Sequence, residues 1–164
     1  MGFKGEVFSV GELLRRAAGP AVPIAVGVGV RHTAAESAAR VAELLAAGES
    51  LVTVWRFGIL QTLDDYTSTL RRGGPETAAG MFVDKPPLTG SAELDAAYAA
   101  LADYLAEREG LTPPAWVSDP TRTVQGAAWF ASTPELFRGE AVRESPRAFR
   151  SRGIMITARA LERA

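Results

Sequence analysis

Residues 111–154 read LTPPAWVSDPTRTVQGAAWFASTPELFRGEAVRESPRAFRSRGI, and the rest of the chain is organised around them. Trp116 and Trp129, two of the three tryptophans, lie here, in Pro113-Pro114-Ala115-Trp116 and Trp129-Phe130. A turn at Ser118-Asp119-Pro120 separates them. Proline ends a helix because it lacks an N–H and clashes with the preceding turn. The stretch is therefore expected to be an irregular lobe of short helices. Such a lobe has little regular backbone bonding and needs large apolar anchors. Trp116, Trp129 and Phe149 fit that role, each buried aromatic contributing on the order of 1.5–3 kcal/mol. Thr133-Pro134 and Ser145-Pro146 each read as a cap followed by a first helical residue. Gly153 closes the second of these helices, Ile154-Met155-Ile156 suits a brief strand, and 157–163 a last helical turn or two.

Upstream, Ser91 opens an amphipathic helix that Gly110 closes. Leu94, Tyr98, Leu101 and Leu105 should face inward, with Glu93, Asp95, Asp103, Glu107 and Arg108 in water. Residues 84–90 (DKPPLTG) form a proline-rich connector. Ser50 caps a long helix over 51–72, striped by Val52, Trp55, Ile59, Leu63, Tyr66 and Leu70. Arg71-Arg72 complement its negative end and Gly73-Gly74 terminate it, which makes it the expected central scaffold. Pro75 begins a short helix to about Phe82. Thr33-Ala34-Ala35-Glu36 is a capping box for a helix to Ala47, with Ala34, Ala38, Val41 and Leu45 on one face.

Before it, residues 20–30 alternate Val and Ile with Ala and Gly, which favours a buried extended segment. Gly27-Val28-Gly29 lacks the third glycine of a dinucleotide fingerprint, so close packing explains it better than a phosphate loop. Ser9 and Glu12 frame another capping box, for a helix over 10–18. Residues 1–8 suit a short strand or a loose arm. The expected fold is thus mainly α: one compact domain over 1–164. It comprises a helical part (1–83), the connector (84–90), and a helix with the Trp- and Arg-rich lobe (91–164).

Composition narrows the function classes. The chain has 164 residues, 47% apolar and 23% charged, which is globular rather than disordered. A formal net charge of -1 gives no global pull toward nucleic acid or an anionic membrane. No cysteine is present, which excludes thiol chemistry and suits a reducing cytoplasm. The most apolar run, Ala21 to Val30, is too short to span a bilayer, and no cleavage site makes it a signal peptide.

One histidine, His32, and no cysteine cannot build the usual zinc sites, so no metal is expected. His32 reads as a loop residue before the capping Thr33. No G-x-S-x-G elbow occurs. Asp64 and Asp65 point about 100° apart on a helix and read as solvated surface. Asp103 and Glu107 are four apart, yet no second carboxylate helix accompanies them. No catalytic residue and no cofactor are assigned. The 41–56 region has pieces of a helix-turn-helix, but its spacing is long and Asp64-Asp65 would repel phosphate.

The arginines are more informative. Arg138, Arg143, Arg147, Arg150, Arg152, Arg159 and Arg163 stand against Glu140, Glu144 and Glu162. Arg143, Arg147 and Arg150 are spaced to share a helical face. Either they dock phosphate or an acidic partner, or they pair with the acidic 93–109 helix.

From about Trp55 onward the chain resembles a family of small Arg- and Ala-rich bacterial proteins. The resemblance is carried by Pro86-Pro87-Leu88-Thr89-Gly90, Leu94-Asp95-Ala96 and Ala102-Asp103-Tyr104-Leu105-Ala106. It continues in Pro113-Pro114-Ala115-Trp116, Trp129-Phe130, and Ser145-Pro146-Arg147-Ala148-Phe149-Arg150 with Arg152-Gly153-Ile154. In similar proteins the module follows a helix-turn-helix domain or lies beside a nucleotidyltransferase-like toxin. The resemblance implies a non-enzymatic, antitoxin-like or regulatory role in the cytoplasm, with a protein partner and no membrane. No clear DNA-binding domain stands at this N-terminus, so nucleic acid is the less favoured partner. Arg143, Arg147, Arg150 and Arg152 are the expected partner-binding residues. The rival expectations are a DNA-binding regulator and a small enzyme acting on an anionic substrate.

Overall fold

A computed structural model describes residues 29–162, and the chain is mainly helical. The expected arm, the helix over 10–18 with its Ser9 cap, and Arg163 lie outside the described residues. So does the segment over 20–30, apart from its last two residues. Helix α1 (Ala34–Ala46) begins with the capping box: Thr33 Oγ1 accepts from the Glu36 N–H, and Glu36 accepts from the Thr33 N–H. After a turn at Gly48, Ser50 caps a second helical run by accepting from the Thr53 N–H. That run is three pieces: α2 (Leu51–Val54), a π-helical turn (Trp55–Leu60) and α3 (Gln61–Ala79). Gly74, at φ 80° and ψ 176°, breaks α3, and Pro75 starts the piece beyond it. Proline suits that place, since a first-turn N–H would be unpaired anyway.

Helix α4 (Ala92–Glu109) is capped by Ser91, which accepts from the Leu94 N–H, and ends at left-handed Gly110. Here the structure departs from expectation. Residues 94–103 are all buried, so α4, and not the 51–72 run, is the core element. The 51–79 run, residues 115–118 and 147–155 all pack against it. Asp95 and Asp103, expected in water, are 7% and 8% exposed. Alanines explain this: they let neighbours approach from every side, and the apolar stripe widens to the whole circumference.

The π-helical turn has a local cause and a packing reason. A Cβ on Gly58 would come 2.6 Å from Val41 Cγ2 and 2.8 Å from the Tyr98 hydroxyl. Only glycine lets α1 and α4 close on the run there. Trp55, Ile59, Leu63 and Tyr66 are buried as the stripe predicts, but Val52 is 55% exposed. The extra residue per turn rotates the register, so α2 is out of phase with α3.

The lobe is built from short pieces. Strand β1 (Trp129–Phe130) pairs in parallel with β2 (Ile154–Met155), in register Trp129 to Ile154. Helices α5 (Arg138–Glu144) and α6 (Arg147–Arg150) complete it. The expected caps act otherwise. Thr133 Oγ1 donates back to the Ala131 carbonyl, and Glu135–Phe137 is a 3-10 turn. Ser145 Oγ accepts from the Ile156 N–H and donates to the Ile156 carbonyl, tying the lobe across itself.

Candidate functional site

The three aromatic anchors each reach the scaffold. Phe149 is fully buried, its ring 6.0 Å from that of Tyr104 on α4. Trp129 meets Trp55 edge to face at 5.5 Å. Trp116 donates its indole N–H to the Phe82 carbonyl at 2.9 Å. Below it, Arg122 is 1% exposed, with its guanidinium 5.4 Å from the Trp116 ring. One Arg122 Nη donates to the Pro86 carbonyl, while Nε and the other Nη are buried without a partner among the described residues. Nothing in the spacing around Arg122 marks it as internal, since arginine is mostly a surface residue.

The structure divides the four arginines assigned to partner binding. Arg152 differs most from the expected outward position. Its side chain is 12% exposed and bonds Asp103 at 2.9 Å, the Ala148 carbonyl and the Val117 carbonyl. Arg147 bridges Asp103 at 3.0 Å and Glu107 at 3.2 Å but is 59% exposed. Arg150 donates to the Ser145 carbonyl. Arg143 stands on α5, apart from Arg147 and Arg150 on α6, because Ser145 and Pro146 are extended between them. The three do not share one helical face. Asp103 is therefore a hub for two arginines. The pairing with Asp103 and Glu107 occurs, whereas Asp95 instead accepts from Thr89 N and Oγ1.

A different surface also stands open. Leu136 is 86% exposed, Phe137 45% and Val142 49%, all on the 135–144 segment. A groove of about 330 Å³ runs between Leu51 and Val52 on one side and Trp129, Phe130 and Pro134 on the other. A second hollow, of about 120 Å³, adds Phe137, Glu140 and Arg159, and shares Ser132, Thr133 and Pro134 with the first. Arg138 lies over the Phe130 ring at 5.0 Å. Ser132, at φ 48°, is the one non-glycine residue with positive φ among the described residues. Such strain is held only where the surroundings over-determine it. Trp129 N–H donates to the Gly153 carbonyl and Ala131 N–H to the Met155 carbonyl, so Phe130, between them, turns its backbone groups to the other edge. The exposed apolar residues were legible as residues, but no periodicity in so short a segment said which way they face.

His32 and Asp65 also come together, lining a cleft between α1 and α3. Asp65 is half-buried rather than fully solvated. Among the described residues no group of three or more His, Cys, Asp or Glu could hold a metal ion, and no helix is long and apolar enough to cross a membrane. No family model matches the chain, and neither a curated protein nor a solved structure matches it.

Proposed function

We propose that this chain is a non-enzymatic protein-interaction module, antitoxin-like or regulatory, that binds another bacterial protein through the groove beside β1. One observation carries the reading: Val52, in the groove beside Trp129 and Phe130, and Phe137, in the adjoining hollow, are held in water, and Leu136 and Val142 on the same segment as Phe137 are exposed as well. Monomeric proteins seldom cluster large apolar side chains on the surface without use. Aromatics and arginine, here Phe137, Phe130, Arg138 and Arg143, are the residues that interfaces favour. The occupant is an extended segment of the partner that adds to β1 and places alternate apolar side chains in the two hollows. The family resemblance points to a nucleotidyltransferase-like toxin as that partner. Neutralisation of Arg147 and Arg152 by Asp103 and Glu107 weighs against phosphate-driven DNA binding.

The test is co-purification from a bacterial host with cross-linking mass spectrometry, using wild type and Leu136→Ser with Phe137→Ser. Partner cross-links should map to residues 129–142 and vanish in the variant, with the melting temperature unchanged. Cross-links that survive the variant but are lost in Arg147→Glu with Arg150→Glu would move the site to the arginine face. A salt-dependent gel shift with no protein partner would favour the DNA-binding regulator instead.

A further inference from the structure

We propose that the cleft between α1 and the 55–72 part of the long run binds a nucleoside monophosphate. This site shares no residue with the docking groove and does not depend on that reading. The cleft has a volume of about 450 Å³, within the range of small-molecule sites. It opens into a smaller hollow of about 150 Å³, and His32 and Asp65 line both.

The walls are fixed from below. Ser37 Oγ, on the cleft floor, lies 2.8 Å from the Tyr98 hydroxyl and 3.0 Å from Thr62 Oγ1. Thr62 in turn donates to the Gly58 carbonyl at 2.7 Å. With Gly58 in close contact, the two helices cannot shift apart without breaking the part-buried bonds of Ser37 to Thr62 and Tyr98. The cleft is therefore preformed, and binding need not order it.

Its chemistry changes along its length. Helix α1 and the long run are antiparallel, so Leu44 lies at the Phe57 end and His32 beside Asp65. From Phe57 to Asp65 is about 12 Å of helix. Phe57 is 63% exposed, an aromatic face left in water because the π-helical turn points it outward. A flat ring can stack on it, with Leu44 alongside. In the middle stand Arg40 and Gln61, whose side chains suit sugar hydroxyls and base edges. At the far end the smaller hollow has Arg31, Arg72, Ser68 and Thr69.

Arg31, Arg40 and Arg72 stand against Glu36 and Asp65 along the two hollows, a small excess of positive charge. Among the described residues Arg31, Arg40 and Arg72 make no ion pair. Arg72 donates only to the Ser68 carbonyl and Thr69 Oγ1. The cleft's own carboxylates are held in place but keep their charge: Glu36 by Thr33 in the capping box and Asp65 by Gln61 at 3.2 Å. A stacking face at one end and uncommitted guanidinium groups at the other select a ligand that is planar at one end and dianionic at the other. A nucleoside monophosphate has that form, with its phosphate between Arg31 and Arg72, whose two charges outweigh the repulsion from the single Asp65 carboxylate lining that hollow.

The experiment is calorimetric titration of the full chain with AMP, adenosine and inorganic phosphate at one fixed ionic strength. Phe57→Ala and Arg72→Ala serve as variants, since both side chains are exposed and the fold, checked by melting temperature, should survive. AMP should bind at least about tenfold more tightly than adenosine or phosphate. Phe57→Ala should weaken AMP by about tenfold and leave phosphate unchanged. Arg72→Ala should weaken AMP and phosphate but not adenosine. The proposal is overturned if AMP does not bind, if phosphate alone binds as tightly as AMP (an adventitious anion site), or if either variant leaves AMP affinity unchanged.

Discussion

Trp55 and Trp129 meet edge to face, with ring centroids 5.5 Å apart and planes at 82°. One belongs to the helical scaffold and the other to β1 of the lobe. Trp55 is 1% exposed, and Trp129 covers it. The T-shaped arrangement sets the positive edge of one ring on the negative face of the other. A double-mutant cycle with Trp55→Leu and Trp129→Leu should show a coupling of about 0.5–1.5 kcal/mol. Additive losses in urea midpoints would mean that the rings touch without mattering to each other.

Asp103 should be worth far more to the fold than its sequence neighbours. It holds Arg152, itself almost buried, and one end of Arg147. Asp103→Ala leaves the Arg152 guanidinium uncompensated and should cost about 3–5 kcal/mol. Arg147→Ala removes a side chain that is 59% exposed and should cost under about 1 kcal/mol. Chemical denaturation of both variants checks the ranking, and equal losses would contradict it.

Gly58 tolerates no side chain where it stands. Its missing Cβ would lie within 3 Å of both Val41 and Tyr98. Gly58→Ala should destabilise by about 1–3 kcal/mol through overpacking. Adding Val41→Ala should return part of that loss, because it empties the nearer contact. A calorimetric melt of single and double variants decides the point.

Burial pushes the Tyr98 hydroxyl up to about 12, against bonds to Ser37 and Thr62 that pull it down. The folded state thus resists ionisation more than the unfolded chain does. Its contribution is complete below pH about 10, the ordinary tyrosine value, and is lost as pH rises toward 12. The loss across that window should be about 2–3 kcal/mol. Tyr98→Phe should flatten the alkaline limb of the stability curve while costing about 1–2 kcal/mol at neutral pH. An unchanged alkaline limb in that variant would remove Tyr98 as its source.

Arg122 presents the reverse of the Asp103 case. It is buried with no carboxylate partner, and two of its nitrogens are unpaired among the described residues. Its hydrophobic stem packs, but its head is desolvated at a cost. Arg122→Met keeps the stem and should shift stability by less than about 1 kcal/mol. A loss above about 3 kcal/mol would show that its bond to the Pro86 carbonyl holds the connector in place.

The helix ends were legible because capping is local chemistry. Thr33, Ser50 and Ser91 each bond the backbone three residues on, and Gly110 takes the left-handed conformation. The brief strand at Ile154 was legible too, though its parallel partner at Trp129 was not, since pairing depends on where 24 intervening residues turn. The caps at Thr133 and Ser145 failed for a related reason. Their hydroxyls found tertiary or backward acceptors that no local pattern specifies. Asp95 and Asp103 read as solvated because charge usually is; their partners Thr89 and Arg152 come from distant parts of the chain or from the connector. The π-helical turn shifted Val52 outward and Phe57 into the cleft mouth, and an ideal 3.6-residue period does not foresee it.

Helix α4 is covered on every side over residues 94–103, by the scaffold on one flank and the lobe on the other. No face of it can be bared while the rest stays folded. Its amide protons should therefore exchange with solvent only through opening of the whole molecule, at one common rate for residues on opposite faces. For the same reason a break in the 84–90 connector cannot yield two self-sufficient pieces, because each would have to supply the other's half of the sheath around this helix.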